Sequence, residues 1–358
     1  MKKTYFLLIA AAVAFGCGKK DKFMYGQVAT QPIMNPDLKS ILKDNVILNS
    51  VLDSSGVIHG LTDKNAFSTS DQFQSFNHSG YSISNALTPY TYDKNTVIVA
   101  TGTVLTPIVH YSQDYGFTWD SIAPVLTPAV NSGGYYETDL SVYYINKQNF
   151  AMVYVLKSAT NIHKKLIYKV NIATKQGTLV NSWQDFYIPM SVKFTNDTIA
   201  YMLIYRSSVN GTYISKTTNG GSLWSAPLYF DTKNLSVMQV ADKGNLCVYE
   251  PNSYATYSTD SGAHWRQSAY SSNFNTLQMV SPSLSFALTN NGLVKSSDTG
   301  KTWNAVQGTG VDFNSMKHIY FNTDQKGLIY TDQQMYMTSD GGATWKTLLY
   351  PYPYIISN

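Results

Sequence analysis

The sequence predicts an all-β fold, a single seven-bladed β-propeller of four-stranded antiparallel blades. Three observations predict it: one turn motif recurs at blade-length spacing, short apolar runs of strand length fill the intervals, and the composition is aromatic and weakly charged. Of 358 residues, 14% are aromatic, including 28 Tyr, and only 13% are charged. That balance supplies a large β-rich core under an uncharged polar surface and argues against disorder.

At the N-terminus, Lys2 and Lys3 precede an apolar stretch from Tyr5 to Phe15, then Gly16 and Cys17, the layout of a secretory leader. The apolar stretch is too short for a permanent membrane span. Residues 1–16 therefore read as a signal peptide, 17–44 as an N-terminal Cys and tether containing Pro32 and Pro36, 45–350 as the propeller, and 351–358 as a short tail. Ala14-Phe15-Gly16-Cys17 resembles a bacterial lipobox, with Ala14 in the place usually held by Leu. The resemblance implies lipidation of Cys17, a membrane anchor and, with Gly18 following, sorting to the outer membrane. Cys247 is then the one remaining thiol, which excludes an intramolecular disulfide. Its run Leu246-Cys247-Val248-Tyr249 is that of a buried strand.

Five segments share a hydroxyl residue, Asp or Asn two positions on, Gly two after that, and Trp three after the Gly. They run from Ser112 to Trp119 around Asp114, Thr217 to Trp224 around Asn219, Ser258 to Trp265 around Asp260, Ser296 to Trp303 around Asp298, and Thr338 to Trp345 around Asp340. A sixth, Thr69 to Phe76, keeps Asp71 but places Phe73 and Phe76 where Gly and Trp stand elsewhere. Successive acidic positions lie 38 to 43 residues apart, one four-stranded blade each, except for one gap of 105 that holds two blades. The turn missing from that gap is assigned to Asn171–Gly177, followed by Trp183, so that all six Trp take repeat positions. In each turn the Asp or Asn oxygen is expected to accept from backbone N–H groups two residues on, while Gly supplies positive φ. The Trp is expected to pack between neighbouring sheets. These acidic residues read as structural.

Strand alternation puts the repeat turns at one end of the ring and the middle turns with the blade links at the other, the end expected to carry function. Both Glu of the chain, Glu137 and Glu250, and one of its two Arg, Arg206, fall there, beside Tyr135, Tyr136, Asp139, His163 and Tyr254. The loops around them are rich in Tyr, Asn, Ser and Gly, a composition suited to a protein or glycan ligand. A carboxylate pair would serve glycoside hydrolysis, and an Arg would hold an acidic group. The six His show no metal-ligand spacing, and neither a phosphate loop nor a nucleophile elbow occurs, so neither metal nor cofactor is expected. A net charge of +4 and two Arg exclude a phosphate-tracking surface, and with it nucleic acid as a partner.

The repeats identify the chain as similar to Asp-box (BNR) propellers over nearly the whole segment after the leader, a group with sialidases, two-propeller xyloglucanases, sortilin-type receptors and photosystem II assembly-factor-like proteins. The resemblance implies the fold, not an activity. Sialidases of this group clamp the substrate carboxylate with three Arg; this chain has two in all, and Arg266 follows a repeat Trp at the wrong end. The xyloglucanases need two propellers. Two function classes follow: a non-catalytic binding or assembly module of the cell envelope, and a carbohydrate-active enzyme using Glu137 and Glu250 or an Asp pair at the same end.

Overall fold

Runs such as Ser285–Thr289 and Leu246–Tyr249 are buried at every position rather than at alternate ones, which requires a sheet covered on both faces. A ring of radially packed sheets provides that cover, and it is what the computed structural model contains. It describes residues 46–349 except 71–76, 82, 84, 94, 132–133, 136, 160–162, 186, 232–234, 242–243, 270–272 and 333. Seven antiparallel sheets follow one another along the chain, at 47–80, 91–122, 137–185, 188–231, 237–267, 274–305 and 318–349, each built from four consecutive strands. They are blades one to seven. Blade three departs from the expectation, because Val125–Thr127 adds a fifth strand, parallel to Gln176–Thr178, on its outer edge.

Each seam between blades has its own apolar cluster. Leu61 and Ala66 meet Val97 between blades one and two, and Ile98, Ala100 and Val109 meet Tyr154 and Tyr168 between two and three. The last seam joins Ile47, Ile58 and Phe67 of blade one to Leu328, Tyr330 and Met335 of blade seven. Hydrogen bonds reinforce it, from the Ile47 amide to the Asp332 carbonyl at 3.1 Å, from the Ser50 amide to the Tyr330 hydroxyl at 3.0 Å and from the Asn322 side-chain amide to the Asp53 carbonyl at 2.9 Å. Among the described residues no sheet combines strands from both ends of the chain, so the ring closes through side chains and single hydrogen bonds. Cys247 lies fully buried at the seam of blades five and six, where burial pushes its thiol up to about 12.

The five repeat turns all join third strands to fourth strands and so share one end, as expected. Their bonding differs in detail from the expectation. The carboxylate or amide oxygen accepts the backbone N–H four residues on, not two, at 2.8–2.9 Å, for example Thr302 N to Asp298. The closer amide, that of the Gly, is taken instead by the hydroxyl residue opening the motif, as Ser296 Oγ takes Gly300 N at 2.8 Å. That hydroxyl then donates to the acidic oxygen, 2.9 Å in Ser296–Asp298. Gly and the residue before it both have positive φ, which at Tyr115, φ 63°, a bulky side chain sustains by stacking on His59 at 3.7 Å. Asp71 and the rest of the degenerate sixth turn lie outside the described residues. The seventh turn is as assigned, Asn171 accepting from the Thr174 amide at 3.0 Å.

These bonds predict an acid response. Asp298 and Asp340 are held at about 2 chiefly by the hydroxyls of Thr302 and Thr344, and Asp260 at about 2 chiefly by the His264 amide, against an ordinary 3.8. A carboxyl depressed in the folded state contributes stability above 3.8 and loses it as pH falls towards 2. Denaturant midpoints are expected to hold down to about pH 4 and to fall steeply from there to about pH 2; a flat profile across that window overturns the assignment.

The repeat Trp are less uniform than expected. Trp345 is buried, whereas Trp119, Trp224, Trp265 and Trp303 are half-buried. The indole N–H of Trp119, Trp265 and Trp345 donates to the carbonyl of the Gly three residues earlier, and that of Trp303 to Ser268 of the preceding blade. Trp224 Nε1 is buried without a partner. Trp183 takes no repeat position; it is the eighth residue of the long strand Gln176–Asp185.

Candidate functional site

The described residues among those expected at the open end divide among three seams, because each sheet presents its two faces to different neighbours. Glu250 accepts the Ser236 amide at 3.0 Å and the Ser236 hydroxyl, both within blade five. Tyr254 donates to Asp231 of blade four, and burial first, then that carboxylate, raises its pKa. The loops at this end are shorter than expected: Glu137 opens the strand Glu137–Asn146 opposite Lys157, and His163 opens the strand His163–Asn171. Tyr136 and the Glu137 side chain lie outside the described residues. Tyr135 packs half-buried on the core of blades two and three.

His163 and Asp139 belong to the seam of blades three and four. Sheet register aligns Asp139, Val155, Lys165 and Trp183 across blade three, with Glu137, Lys157, His163 and Asp185 in the neighbouring row of the same face. Asp139 pairs with Lys157 at 2.8 Å. Lys165 has no solvent exposure; its ammonium donates to the carbonyls of His163 at 2.9 Å and Asp185 at 3.0 Å and to the Asp185 carboxylate. Burial lowers the Lys165 pKa while Asp185 opposes the fall, and burial, then the cations Lys165 and Lys157, lowers that of His163. A buried cation in this position fixes the Asp185 carboxylate.

Beside this ion pair a groove of about 260 Å³ runs along the seam. Trp183 and Asp185 form one wall, Tyr187, Pro189, Met202 and Ile204 the floor and end, and Leu223, Trp224 and Pro227 the other wall. The Arg206 guanidinium lies 5.4 Å from the centre of the Tyr187 ring, a cation–π contact at the groove's end. An apolar trough with a few fixed polar groups is the usual form of a binding site. Its volume suits one large apolar side chain.

Sequence reasoning missed Lys165, Trp183, Tyr187 and Trp224 as neighbours. A signal was present in the repeat itself. The residue before the Trp is Thr118, His264, Thr302 and Thr344 in four copies, each bonded to its Asp, but in the fifth copy it is Leu223, which is 70% exposed. The same copy alone carries Asn219 for Asp.

The fold and groove define a propeller with an inter-blade cleft. No family model matches the sequence, and no curated protein matches it. Solved structures do. The β-propeller domain of the Trilobed protease from Pyrococcus furiosus, described as having an open velcro topology, aligns with a TM-score of 0.52 and 7% identity over 87% of this chain and 99% of that domain. An acylaminoacyl peptidase aligns with a TM-score of 0.53 and 8% identity over 87% of this chain and 53% of the peptidase. YCF48 bound to D1 peptide aligns with a TM-score of 0.49 and 15% identity over 88% of this chain and 94% of its own. At these identities the likeness is one of fold.

Proposed function

We propose that this chain is a non-catalytic binding propeller of the cell envelope, anchored by lipid at Cys17, whose protein ligand enters the groove between blades three and four. The observation that carries the reading is the groove itself, in which an exposed Leu223 and a partnerless Trp224 N–H stand where the other repeats have a side chain bonded to the Asp and a bonded indole. The state of the carboxylates supports the non-catalytic part. Glu250 is bonded to Ser236, Asp185 to Lys165 and Asp139 to Lys157, and among the described residues every aspartate with a displaced pKa is displaced downward. A general acid needs the opposite shift. The two Arg stand at opposite ends, since Arg206 ends a second strand and Arg266 opens a fourth, which leaves a sialoside carboxylate at most one guanidinium.

In cells, a photo-crosslinking residue at Leu223 is expected to give discrete protein adducts in the membrane fraction, while one at Lys301, in the repeat turn of blade six and away from the groove, gives none. Equal adducts from both positions, or none from either, overturn the groove assignment. Release of sugar from sialosides or neutral polysaccharides that Glu250→Gln abolishes overturns the non-catalytic reading. Cys17→Ser is expected to move the protein from the membrane to the soluble fraction with its thermal unfolding unchanged; a variant that stays membrane-bound overturns the anchor.

A further inference from the structure

The outermost strand of a propeller blade is an edge, with a row of main-chain donors and acceptors facing solvent. In six blades it is kept short, at two to four residues: Asn77–Gly80, Asp120–Ile122, Leu228–Asp231, Arg266–Gln267, Asn304–Ala305 and Lys346–Leu349. In blade three it is Gln176–Asp185, ten residues. Proteins blunt long edges with Lys, Pro, bulges or covering chain; this strand has one bulge, at Val180 opposite Ile167 and Tyr168. The sequence Gln-Gly-Thr-Leu-Val-Asn-Ser-Trp-Gln-Asp has neither Lys nor Pro, and its one charge, Asp185, is bound to Lys165. Cover is partial: Val125–Thr127 pairs with Gln176–Thr178 only. Among the described residues nothing pairs with the outer edge of Leu179–Asp185.

We propose that Leu179–Asp185 is a strand-addition site for an extended segment of a partner protein. The reading rests on the binding function above and names the form of the ligand. Three observations select a polypeptide strand as occupant. The exposed row consists of peptide groups, which only another main chain satisfies in register. The chain's own Val125–Thr127 already pairs on this edge and stops after three residues, so the new strand continues an existing ladder. The groove lies on the side of the sheet to which Asn181, Trp183 and Asp185 point, where alternate side chains of an added strand would fall. An aromatic side chain on that face fills the trough between Trp183 and Trp224, and the buried Trp224 N–H offers a donor. A lipid tail or a sugar would fill the groove and leave the edge unpaired.

The test uses the full chain in detergent, a fluorescein-labelled heptapeptide of alternating Thr and Phe, and the same peptide N-methylated at alternate residues to abolish pairing. The unmodified peptide is expected to bind at least tenfold more tightly than the methylated one, and Leu223→Asp, an exposed position, to weaken it at least tenfold. On binding, the amides of Leu179–Asp185 are expected to exchange at least tenfold more slowly. Equal binding of the two peptides, no binding up to millimolar peptide, or binding without protection of those amides overturns the proposal. Crosslinking at Leu223 without that protection leaves the groove as a binding site and removes the strand. A dimer of this chain that protects the same amides, measured by sedimentation, makes a second copy the occupant and also overturns it.

Discussion

Replacing Trp345 by Ala is expected to lower the unfolding free energy by about 3–5 kcal/mol, the cost of truncating a large aromatic side chain in a core. Trp345 is the buried member of the repeat Trp set, at 6% exposure. It stands edge-on to Phe313 and Phe321, with ring centroids 6.0 and 6.1 Å away, and its indole donates to the Gly342 carbonyl at 2.8 Å. Ala at this place opens the cluster shared by blades six and seven, including Phe286 and Leu293, and removes a donor from a buried carbonyl. Urea unfolding monitored by circular dichroism gives the number directly. A midpoint shift equivalent to less than about half a kcal/mol, the range of a neutral surface change, would show that the seam does not depend on this ring.

The second large effect is expected at the ion pair of blade three, and its two halves should differ. Asp185→Ala leaves the Lys165 ammonium buried with two carbonyls and no counter-charge. The expected loss is about 2–3 kcal/mol, below the range for a fully buried pair because Asp185 keeps 28% exposure. Lys165→Met removes the cation and fills the space with an apolar chain among Val155 and Trp183, its neighbours across the sheet. Such replacements are often neutral, so its midpoint is expected within about 1 kcal/mol of the parent. If Lys165→Met proves as damaging as Asp185→Ala, the ammonium itself, through its bonds to the His163 and Asp185 carbonyls, holds the end of the blade, and the burial argument is wrong.

Blade count, strand number and the placement of the repeat turns were legible because they follow from a period and from strand alternation, which local chemistry encodes in every copy. The hydrogen-bond pattern inside the turn was less legible. Both the hydroxyl and the acidic residue compete for the Gly amide, and only geometry decides that the hydroxyl takes it. The candidate residues lie at one end by topology but do not share a seam. Arg206, Glu250 and Glu137 share an end by topology, yet which seam a side chain enters depends on strand register, and a shift of one residue reverses it. Lys165 was overlooked because a Lys in His163-Lys164-Lys165-Leu166 reads as solvated charge, although it lies in phase with buried Ile167. Trp183 was absorbed into the repeat by counting, when its distance from the Asn171 turn already set it apart.

Among the described residues no strand is exchanged at the seam of blades one and seven, which bears on the order in which the protein is made. Every sheet is complete once its own fourth strand has emerged, so each blade has its strand partners within some sixty residues of synthesis or export. Contacts of short sequence separation form early and at small entropic cost. What spans the length of the ring is the apolar cluster of blades one and seven and the bonds of Ile47 to Asp332, Ser50 to Tyr330 and Asn322 to Asp53. Blade one can therefore be folded while blade seven is still unmade, and the final event is the docking of two finished surfaces rather than the threading of a waiting strand.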